Sequence, residues 1–235
     1  MSERPHLVLV PGMLCDAALW AHQIGHMEDI AECHVGDTRS DDTIAGMART
    51  ILHAAPMRFA LAGLSMGGIV AFEIMRQAPE RVVRLALLDT SATPDSEAGR
   101  QRRLDLMKLA EIGEFVGVAP RLLPHFVHPD RLQDGTLTDA IMEMTRRVGK
   151  DAFLRQQSAL MGRADSRPSL SAIGVPALVL CGRDDAMTPL ARHTEIADAI
   201  PKARLAIVED SGHLSTMERP QAVTALLRDW MLYDR

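Results

Sequence analysis

The segment Gly63-Leu64-Ser65-Met66-Gly67 decides how this chain of 235 residues folds. It follows the apolar run Phe59 to Ala62 and opens an amphipathic segment, Gly68 to Ala78, so it predicts a strand, a tight turn and a helix. Glycine on both sides of the serine lets a strand and a helix approach each other closely. The turn would hold Ser65 at a helix N-terminus, where free N–H groups favour developing negative charge. Such a turn is a nucleophile elbow.

A serine hydroxyl becomes a useful nucleophile only beside a base, and the base needs an acid that orients it. Both follow Ser65 along the chain. His213, in the loop Ser211-Gly212-His213 after the last apolar run, is the predicted general base. The turn before it contains Asp184 and Asp185, and either carboxylate could accept a hydrogen bond from the histidine ring. The order serine, acid, histidine is the one that accompanies a Gly-x-Ser-x-Gly elbow on a parallel sheet.

Each of these assignments has a simpler alternative. Ser65 could be an ordinary turn serine, and His213 could be one surface histidine among nine. The doublet Asp184-Asp185 could be turn chemistry alone, since aspartate favours turns and helix starts. The position of each residue after a strand-like run favours the catalytic interpretation.

Strand-like and helix-like patterns alternate along the chain, which predicts an α/β fold with a mostly parallel, doubly wound sheet of about six strands. Helical patterns cover residues 16–30, 43–54 and 68–78. The predicted strands are Leu7 to Val10, Glu32 to Val35, Phe59 to Ala62, Leu85 to Leu88, Ala177 to Cys181 and Leu205 to Val208.

Residues 91–174 break this alternation, because they contain almost no strand-like run. Three stretches have helical spacing, Ser96 to Ile112, Thr136 to Val148 and Lys150 to Met161, and the glycines and prolines between them predict breaks. Such an insertion, the cap segment, would cover the nucleophile and restrict what reaches it. The predicted organisation is a core of residues 1–90 and 175–235 with the cap segment inserted.

These motifs resemble the α/β-hydrolase superfamily over nearly the whole chain, and in particular small capped serine hydrolases such as bacterial enol-lactonases and small esterases. The resemblance selects Asp185 as the acid, with Asp184 in reserve, from its spacing after Gly182 and before Pro189. It implies an oxyanion hole made by the backbone N–H groups of Met66 and Met13. Pro11 stands where the family commonly has a histidine, which affects the surroundings of the hole but not its backbone donor.

The function that this resemblance implies is hydrolysis of a small carboxylic ester or lactone through a Ser-His-Asp triad and an acyl-enzyme. One alternative is a carbon–carbon bond hydrolase or a lyase on the same scaffold. Perhydrolase activity could accompany any of these reactions as a side reaction of the same site. Another alternative is a noncatalytic ligand sensor that has kept the triad residues. None of these functions requires a metal or an organic cofactor.

Composition bounds the partners and the location of the protein. A net charge of −5 predicts no nucleic-acid partner, and the absence of a long apolar run predicts no membrane partner. Three scattered cysteines predict no disulfide framework. Together with an N-terminus that lacks a signal-peptide pattern, they predict a cytoplasmic protein. The partner expected is the small-molecule substrate, and the sequence makes no prediction about oligomeric state.

Two groups in the cap segment invite a more specific interpretation. His125, His128 and Asp130 could ligate a metal, but the surrounding prolines favour surface or pocket-rim histidines instead. Arg100, Arg102 and Arg103 could clamp an acidic substrate, although a solvated helix face is the simpler interpretation. Met13, Leu14 and Met66 predict an apolar, adaptable pocket lining, with core packing as the alternative. Cys15 is expected to be a small buried residue.

Overall fold

A computed structural model describes residues 4–112, 115 and 118–233 of the chain. The sheet has six strands, all parallel: β1 (His6–Val10), β2 (Glu32–Val35), β3 (Phe59–Leu64), β4 (Val82–Leu88), β5 (Ala177–Gly182) and β6 (Ala203–Val208). Their order across the sheet is β2-β1-β3-β4-β5-β6. The predicted six-stranded parallel sheet is confirmed. Strands β3 and β5 are buried along their whole length, as their continuous apolar runs require.

Nine α-helices accompany these strands in the described part of the chain: α1 (Ala21–Gly25), α2 (Ile44–Ala54), α3 (Met66–Gln77), α4 (Glu97–Ile112), α5 (Val118–Phe126), α6 (Gly135–Met161), α7 (Leu190–Ala199), α8 (Ser215–Glu218) and α9 (Pro220–Tyr233). Helix α2 packs against α3, and α1 packs against α9. Between β4 and β5 the chain forms α4, α5 and α6, which is the predicted helical insertion. Within the described ranges, no helix is both long enough and apolar enough to cross a membrane.

The structure differs from the sequence prediction at two helices. The helix predicted for residues 16–30 is a short 3₁₀ turn (Ala17–Trp20) followed by α1, which ends at Gly25, a residue with a low helix propensity. Pro124, one of the predicted breaks, lies inside α5. Since α5 is only nine residues long, packing of its buried face outweighs the hydrogen bond that proline cannot make.

The parallel arrangement brings the chemistry-bearing loops together. Ser65 follows β3, Asp185 follows β5 and His213 follows β6, so all three leave the carboxyl edge of the same sheet. Ligands of open parallel sheets bind in the crevice at that edge. The fold therefore places the predicted site residues side by side although 148 positions separate the first from the last.

Candidate active site

Ser65 occupies a strained turn between β3 and α3. Its φ of 57° and ψ of −116° lie outside the regions that residues with a side chain favour. The two flanking glycines make this turn possible through close approach. A Cβ on Gly63 would lie 2.2 Å from the carbonyl oxygen of Gly67, and a Cβ on Gly67 would lie 2.0 Å from that of Val10. Two further hydrogen bonds hold the turn: Ser65 N–H donates to the Leu88 carbonyl at 2.9 Å, and the Thr90 hydroxyl donates to the Ser65 carbonyl at 2.7 Å.

Ser65, His213 and Asp185 form a continuous hydrogen-bonded chain. The distance from Ser65 Oγ to His213 Nε2 is 2.8 Å, and that from His213 Nδ1 to Asp185 Oδ2 is also 2.8 Å. His213 and Asp185 are buried, whereas Ser65 is partly exposed. This arrangement can remove a proton from the serine hydroxyl and stabilise the imidazolium that results.

The carboxylate of Asp185 is fully engaged. Oδ1 accepts hydrogen bonds from the N–H groups of Met187 and Thr188 at 2.8 and 2.9 Å, and Oδ2 accepts one from the Thr188 hydroxyl at 2.6 Å. Burial by itself would raise the pKa of Asp185, but the charge and hydrogen bond of His213, with those of Thr188, lower it overall. Burial likewise opposes protonation of His213, yet Asp185 and the more distant carboxylates of Asp89 and Glu218 raise its pKa. The Asp185 carboxylate therefore stabilises the doubly protonated, positively charged form of the His213 ring.

Asp184, the reserve candidate, points elsewhere. Its side chain is 46% exposed and lies 3.5 Å from His128 Nε2 rather than against His213. Its backbone N–H donates to the Ser211 carbonyl at 2.9 Å, which fixes the turn next to the histidine loop. The two neighbouring aspartates thus have different environments.

The two predicted oxyanion donors lie at the same cavity as Ser65. Met13 and Met66 both line it, and within the described residues neither backbone N–H has a hydrogen-bond partner. The loop that carries Met13 packs directly on the elbow, because a Cβ on Gly12 would stand 3.3 Å from Ser65 Cβ. Two free N–H groups beside a nucleophile can stabilise an oxyanion. Cys15 next to this loop is buried, and burial raises its thiol pKa far above the ordinary value.

Gln156 is a residue of the site that the sequence analysis missed. It lies on α6 and is fully buried. Its Oε1 accepts a hydrogen bond from the N–H of Leu14 at 3.0 Å, and its Nε2 donates to the Thr38 carbonyl at 3.1 Å. Leu14 itself has a positive φ of 61°. Gln156 therefore ties the cap segment to the loop that presents Met13, and its only sequence signal is a polar residue on the buried face of a helix.

Asp89 is a second missed residue, a buried carboxyl close to that of Asp185. It follows β4, accepts a hydrogen bond from Gly182 N–H at 2.9 Å on Oδ1 and one from the Ser215 hydroxyl at 2.5 Å on Oδ2. Burial, and then the nearby negative charge of Asp185, raise the pKa of Asp89 to about 8. Asp89 links the β5 end to the segment after His213. The sequence analysis did not single out Asp89, because its hydrogen-bond partners Gly182 and Ser215 are distant in sequence.

Glu218 is the third missed residue. Its buried carboxylate accepts hydrogen bonds from the N–H of Gly212 at 2.8 Å and from the N–H of His128 at 2.6 Å. Leu214 N–H also donates to the Phe126 carbonyl at 2.9 Å, and the Phe126 ring stacks on that of His213 with centroids 6.5 Å apart. The histidine loop is therefore held against the end of α5 in the cap segment.

The cavity at Ser65, called the Ser65 cavity below, has a volume of about 1030 Å³. Its walls come from the elbow and the Met13 loop on one side and from α4, α5 and α6 on the other. The apolar part of the lining includes Met13, Met66, Ile69, Leu106, Leu109 and Leu160. A space of this size accommodates a small organic molecule.

The other residues singled out in the cap segment divide between this cavity and the surface. His125, Arg102 and Arg103 line the cavity, and Arg100 does not. His128 lies beside Asp184, as described above.

In the described part of the chain, side chains of the types that ligate metals cluster at two other places. Asp89, Cys181, Asp185 and His193 lie together in the interior, and His6, Glu32 and His34 lie together on β1 and β2. Asp89 and Asp185 in the interior group are already engaged in the hydrogen bonds above.

Comparison with known proteins places these features in context. A family model described as the alpha/beta hydrolase family matches residues 7–226. A protein of Mycobacterium tuberculosis with the provisional name non-heme bromoperoxidase BpoC is 33% identical, over 87% of this chain and 78% of its own length. One of Agrobacterium fabrum, provisionally named carbamate hydrolase RutD, is 24% identical over 98% of this chain and 94% of its own.

Among solved structures, the enol-lactonase of Burkholderia xenovorans LB400 is similar to this chain with a TM-score of 0.89. The two are 25% identical, and the match covers 98% of this chain and 92% of that one. Similarity therefore extends over the core and the cap segment together, while the names of the relatives describe different reactions.

Proposed function

The chain belongs to the alpha/beta hydrolase family, and from this premise we propose that it is a serine hydrolase that cleaves a small carboxylic ester or lactone. The observation that carries the proposal is the hydrogen-bonded chain Ser65–His213–Asp185, with both distances at 2.8 Å, at the edge of a cavity of about 1030 Å³. A nucleophile, a base and an orienting acid in this relation are the requirements of acyl transfer.

The reaction follows from the positions of these groups. Ser65 Oγ attacks the substrate carbonyl carbon while His213 Nε2 takes the hydroxyl proton, and Asp185 stabilises the imidazolium. The negative charge that develops on the carbonyl oxygen is bound by the N–H groups of Met13 and Met66. His213 then gives its proton to the leaving alkoxide, the C–O bond breaks and an acyl-serine remains. Water, deprotonated by His213, hydrolyses the acyl-serine to the acid and frees Ser65; with a lactone the alcohol stays attached to the acyl group.

Two of the relatives have names that describe acyl chemistry of this kind. A lactone, the substrate class in the name of the Burkholderia enzyme, is a cyclic ester, and a carbamate offers the same type of carbonyl centre. We extend the proposal to the organisation of the chain: residues 1–90 and 175–235 form the catalytic core and residues 91–174 the cap over it. A cytoplasmic location is also part of the proposal, supported by three cysteines that are all unpaired.

The test is hydrolysis by purified protein of p-nitrophenyl esters of increasing acyl length and of γ- and δ-lactones. Ser65→Ala is expected to abolish nearly all turnover, since it removes the hydroxyl that His213 Nε2 contacts at 2.8 Å and that forms the acyl intermediate. The matched control is Ser91→Ala, which removes a hydroxyl from the same cavity. Ser91→Ala should keep turnover within a few-fold of the wild type.

A second readout separates the alternatives. A fluorophosphonate probe should label the wild-type protein once, on the peptide that contains Ser65, and mass spectrometry would locate the adduct. Labelling without turnover of any ester or lactone would exclude the proposed substrate class and favour carbon–carbon cleavage or lyase chemistry, which product analysis identifies. Absence of both labelling and turnover from a folded protein would favour a ligand sensor.

A further inference from the structure

The Ser65 cavity is lined by more positive charge than the negative net charge of the chain would suggest. The whole chain carries a net charge of −5, but among the described residues the cavity is lined by six arginines and only two aspartates. The arginines are Arg102, Arg103, Arg121, Arg163, Arg167 and Arg192. A cavity lined by one sign of charge attracts ligands of the opposite sign.

Two of these arginines, Arg103 and Arg163, contact the same carboxylate, that of Asp95. Asp95 accepts a hydrogen bond from Arg103 Nε at 2.6 Å and lies 2.7 Å from Arg163 Nη1. The side chains of Asp95 and Arg163 are 10% and 9% exposed. One carboxylate neutralises one guanidinium, so a full positive charge remains in a place that water reaches poorly. Buried charge of this kind is costly unless a counter-ion is present when the protein works.

Further hydrogen bonds fix the orientation of both guanidinium groups. Arg103 Nη1 donates to Gln157 Oε1 at 2.8 Å, and Arg163 Nε and Nη1 donate to the carbonyls of Thr93 and Leu160 at 2.9 and 3.2 Å. Within the described part of the chain, Nη2 of Arg103 and Nη2 of Arg163 have no hydrogen-bond partner. Each therefore keeps two N–H donors for a ligand. Planar guanidinium groups held in this way bind a carboxylate in defined geometry.

We propose that Arg103 and Arg163 form a carboxylate-binding subsite of the Ser65 cavity, and that the substrate is an ester or lactone that carries a second, ionised carboxylate. This inference rests on the proposed function for the ester bond, but the subsite is independent of catalysis. Arg102 and Arg121, which are exposed and have no ion-pair partner in the described residues, would attract the same anion toward the cavity. Arg167 differs from them, because it pairs with Asp165 at the surface.

The alternative is a purely structural tie, in which Asp95 only joins α4 to the end of α6. Such a tie requires one arginine, and the second guanidinium would weaken it by repulsion. Burial is the main cause that lowers the pKa of Arg163, and Asp95 opposes it; the charge of Arg103 lowers this pKa by a smaller amount, in the direction that the repulsion requires. The tie also gives no reason for free Nη2 donors on a cavity that contains the nucleophile.

The first arm of the test measures binding without catalysis. Glutarate, a five-carbon dicarboxylate, is titrated into Ser65→Ala protein by calorimetry, and the titration is repeated with Arg103→Gln or Arg163→Gln added to that background. Each added change is expected to weaken binding about ten- to a hundredfold, the usual loss for a hydrogen bond to a charged group. Arg100→Gln is the matched control, because Arg100 lies on the same helix but outside the cavity, and it should leave binding unchanged.

The second arm compares two substrates that differ in one charge, monomethyl glutarate and dimethyl glutarate. Wild-type protein should hydrolyse the anionic monoester with the higher kcat/KM, by about tenfold or more. Arg103→Gln should remove this preference mainly through KM. Arg103→Lys, which retains the charge at the Asp95 pair, keeps the test interpretable if the glutamine variants fold poorly; it should restore part of the preference but not all of it.

The two proposals fail in distinguishable ways. Equal kcat/KM for the two esters, or glutarate binding that is indifferent to Arg103 and Arg163, would overturn the carboxylate subsite while leaving the esterase proposal intact. Glutarate binding that depends on both arginines, in a protein that hydrolyses no ester, would uphold the subsite and overturn the proposed function.

Discussion

At the scale of single residues, Asp184 and Asp185 show how neighbouring identical side chains acquire different properties. Asp185 is buried and accepts four hydrogen bonds, one of them from His213 Nδ1 at 2.8 Å. Asp184 is half exposed and faces His128. Sequence reasoning left both possible until the family resemblance selected Asp185, because the direction of neighbouring side chains in a turn cannot be read from residue type.

The matched pair Asp185→Asn and Asp184→Asn tests which of the two orients His213. Asparagine in place of Asp185 cannot stabilise the imidazolium and can hold the wrong tautomer, so kcat should fall by about 10⁴-fold. Asp184→Asn should change kcat by no more than a few-fold. Rates of p-nitrophenyl acetate hydrolysis by both variants, with Ser65→Ala as the blank, check this. Small and equal losses in the two variants would show that neither aspartate acts through His213.

At the scale of elements, hydrogen bonds tie the cap segment to two loops of the candidate site. Helix α6 reaches the Met13 loop through Gln156, and the end of α5 reaches the histidine loop through Glu218 and Phe126. The sequence predicted α4 and both halves of α6, and Gly149, at φ 81°, divides α6 where the two predicted stretches end and begin. Sequence patterns did not predict the contacts of α6, since Leu14 and Gln156 are 142 positions apart.

Gln156→Leu tests the link between α6 and the loop that carries Met13. The substitution leaves the Leu14 N–H and the Thr38 carbonyl unsatisfied in the interior, which costs about 1–3 kcal/mol per group. The loop is expected to relax and Met13 N–H to lose its position, so kcat should fall about ten- to a hundredfold while KM changes little. Steady-state kinetics and a thermal melt of the same preparation separate the effect on catalysis from that on stability.

Thr145→Val is the control for this prediction. Thr145 is a buried polar residue of the same helix, and its hydroxyl has no hydrogen-bond partner among the described residues. Valine has nearly the same shape, so Thr145→Val should leave kcat unchanged and maintain or raise the melting temperature. A similar fall in kcat for both variants would mean that α6 influences the site through general packing and not through the Leu14 hydrogen bond.

At the scale of the whole molecule, sequence patterns were sufficient where local periodicity decides the structure. The six strands, their parallel arrangement and the turn at Ser65 follow from apolar runs and glycine positions that are close in sequence, whereas the order of the strands across the sheet was not predicted. The features that were missed, Asp89, Gln156 and Glu218, are polar groups whose partners come from distant parts of the chain. Their burial is decided by how the sheet edge and the cap segment meet, and one-dimensional patterns carry no information about that contact.

Asp89 makes the stability of the whole fold depend on pH in a predictable way. Its pKa of about 8 in the folded protein is far above the value of about 3.9 for an ordinary aspartate. A carboxyl that holds its proton more tightly when folded contributes stability that is fully present below the unfolded pKa and is lost as pH rises through the folded pKa. The contribution of Asp89 should therefore decline between about pH 4 and pH 8. Asp185, with its lowered pKa, changes in the opposite direction and mostly below pH 4.

The substitution Asp89→Asn isolates this effect. The amide can still accept from the Gly182 N–H and can donate to the Ser215 hydroxyl, but it does not ionise. The melting temperature of Asp89→Asn relative to wild type should rise steadily from pH 5 to pH 8 and level off above it, because only the wild type must accommodate a buried charge beside Asp185. Calorimetric scans at unit pH intervals measure the difference, with Asp184→Asn, at an exposed aspartate, as the matched control. A constant difference for Asp89→Asn across the whole range would mean that the Asp89 carboxyl is already ionised at pH 5, and that its two hydrogen bonds outweigh the cost of burial.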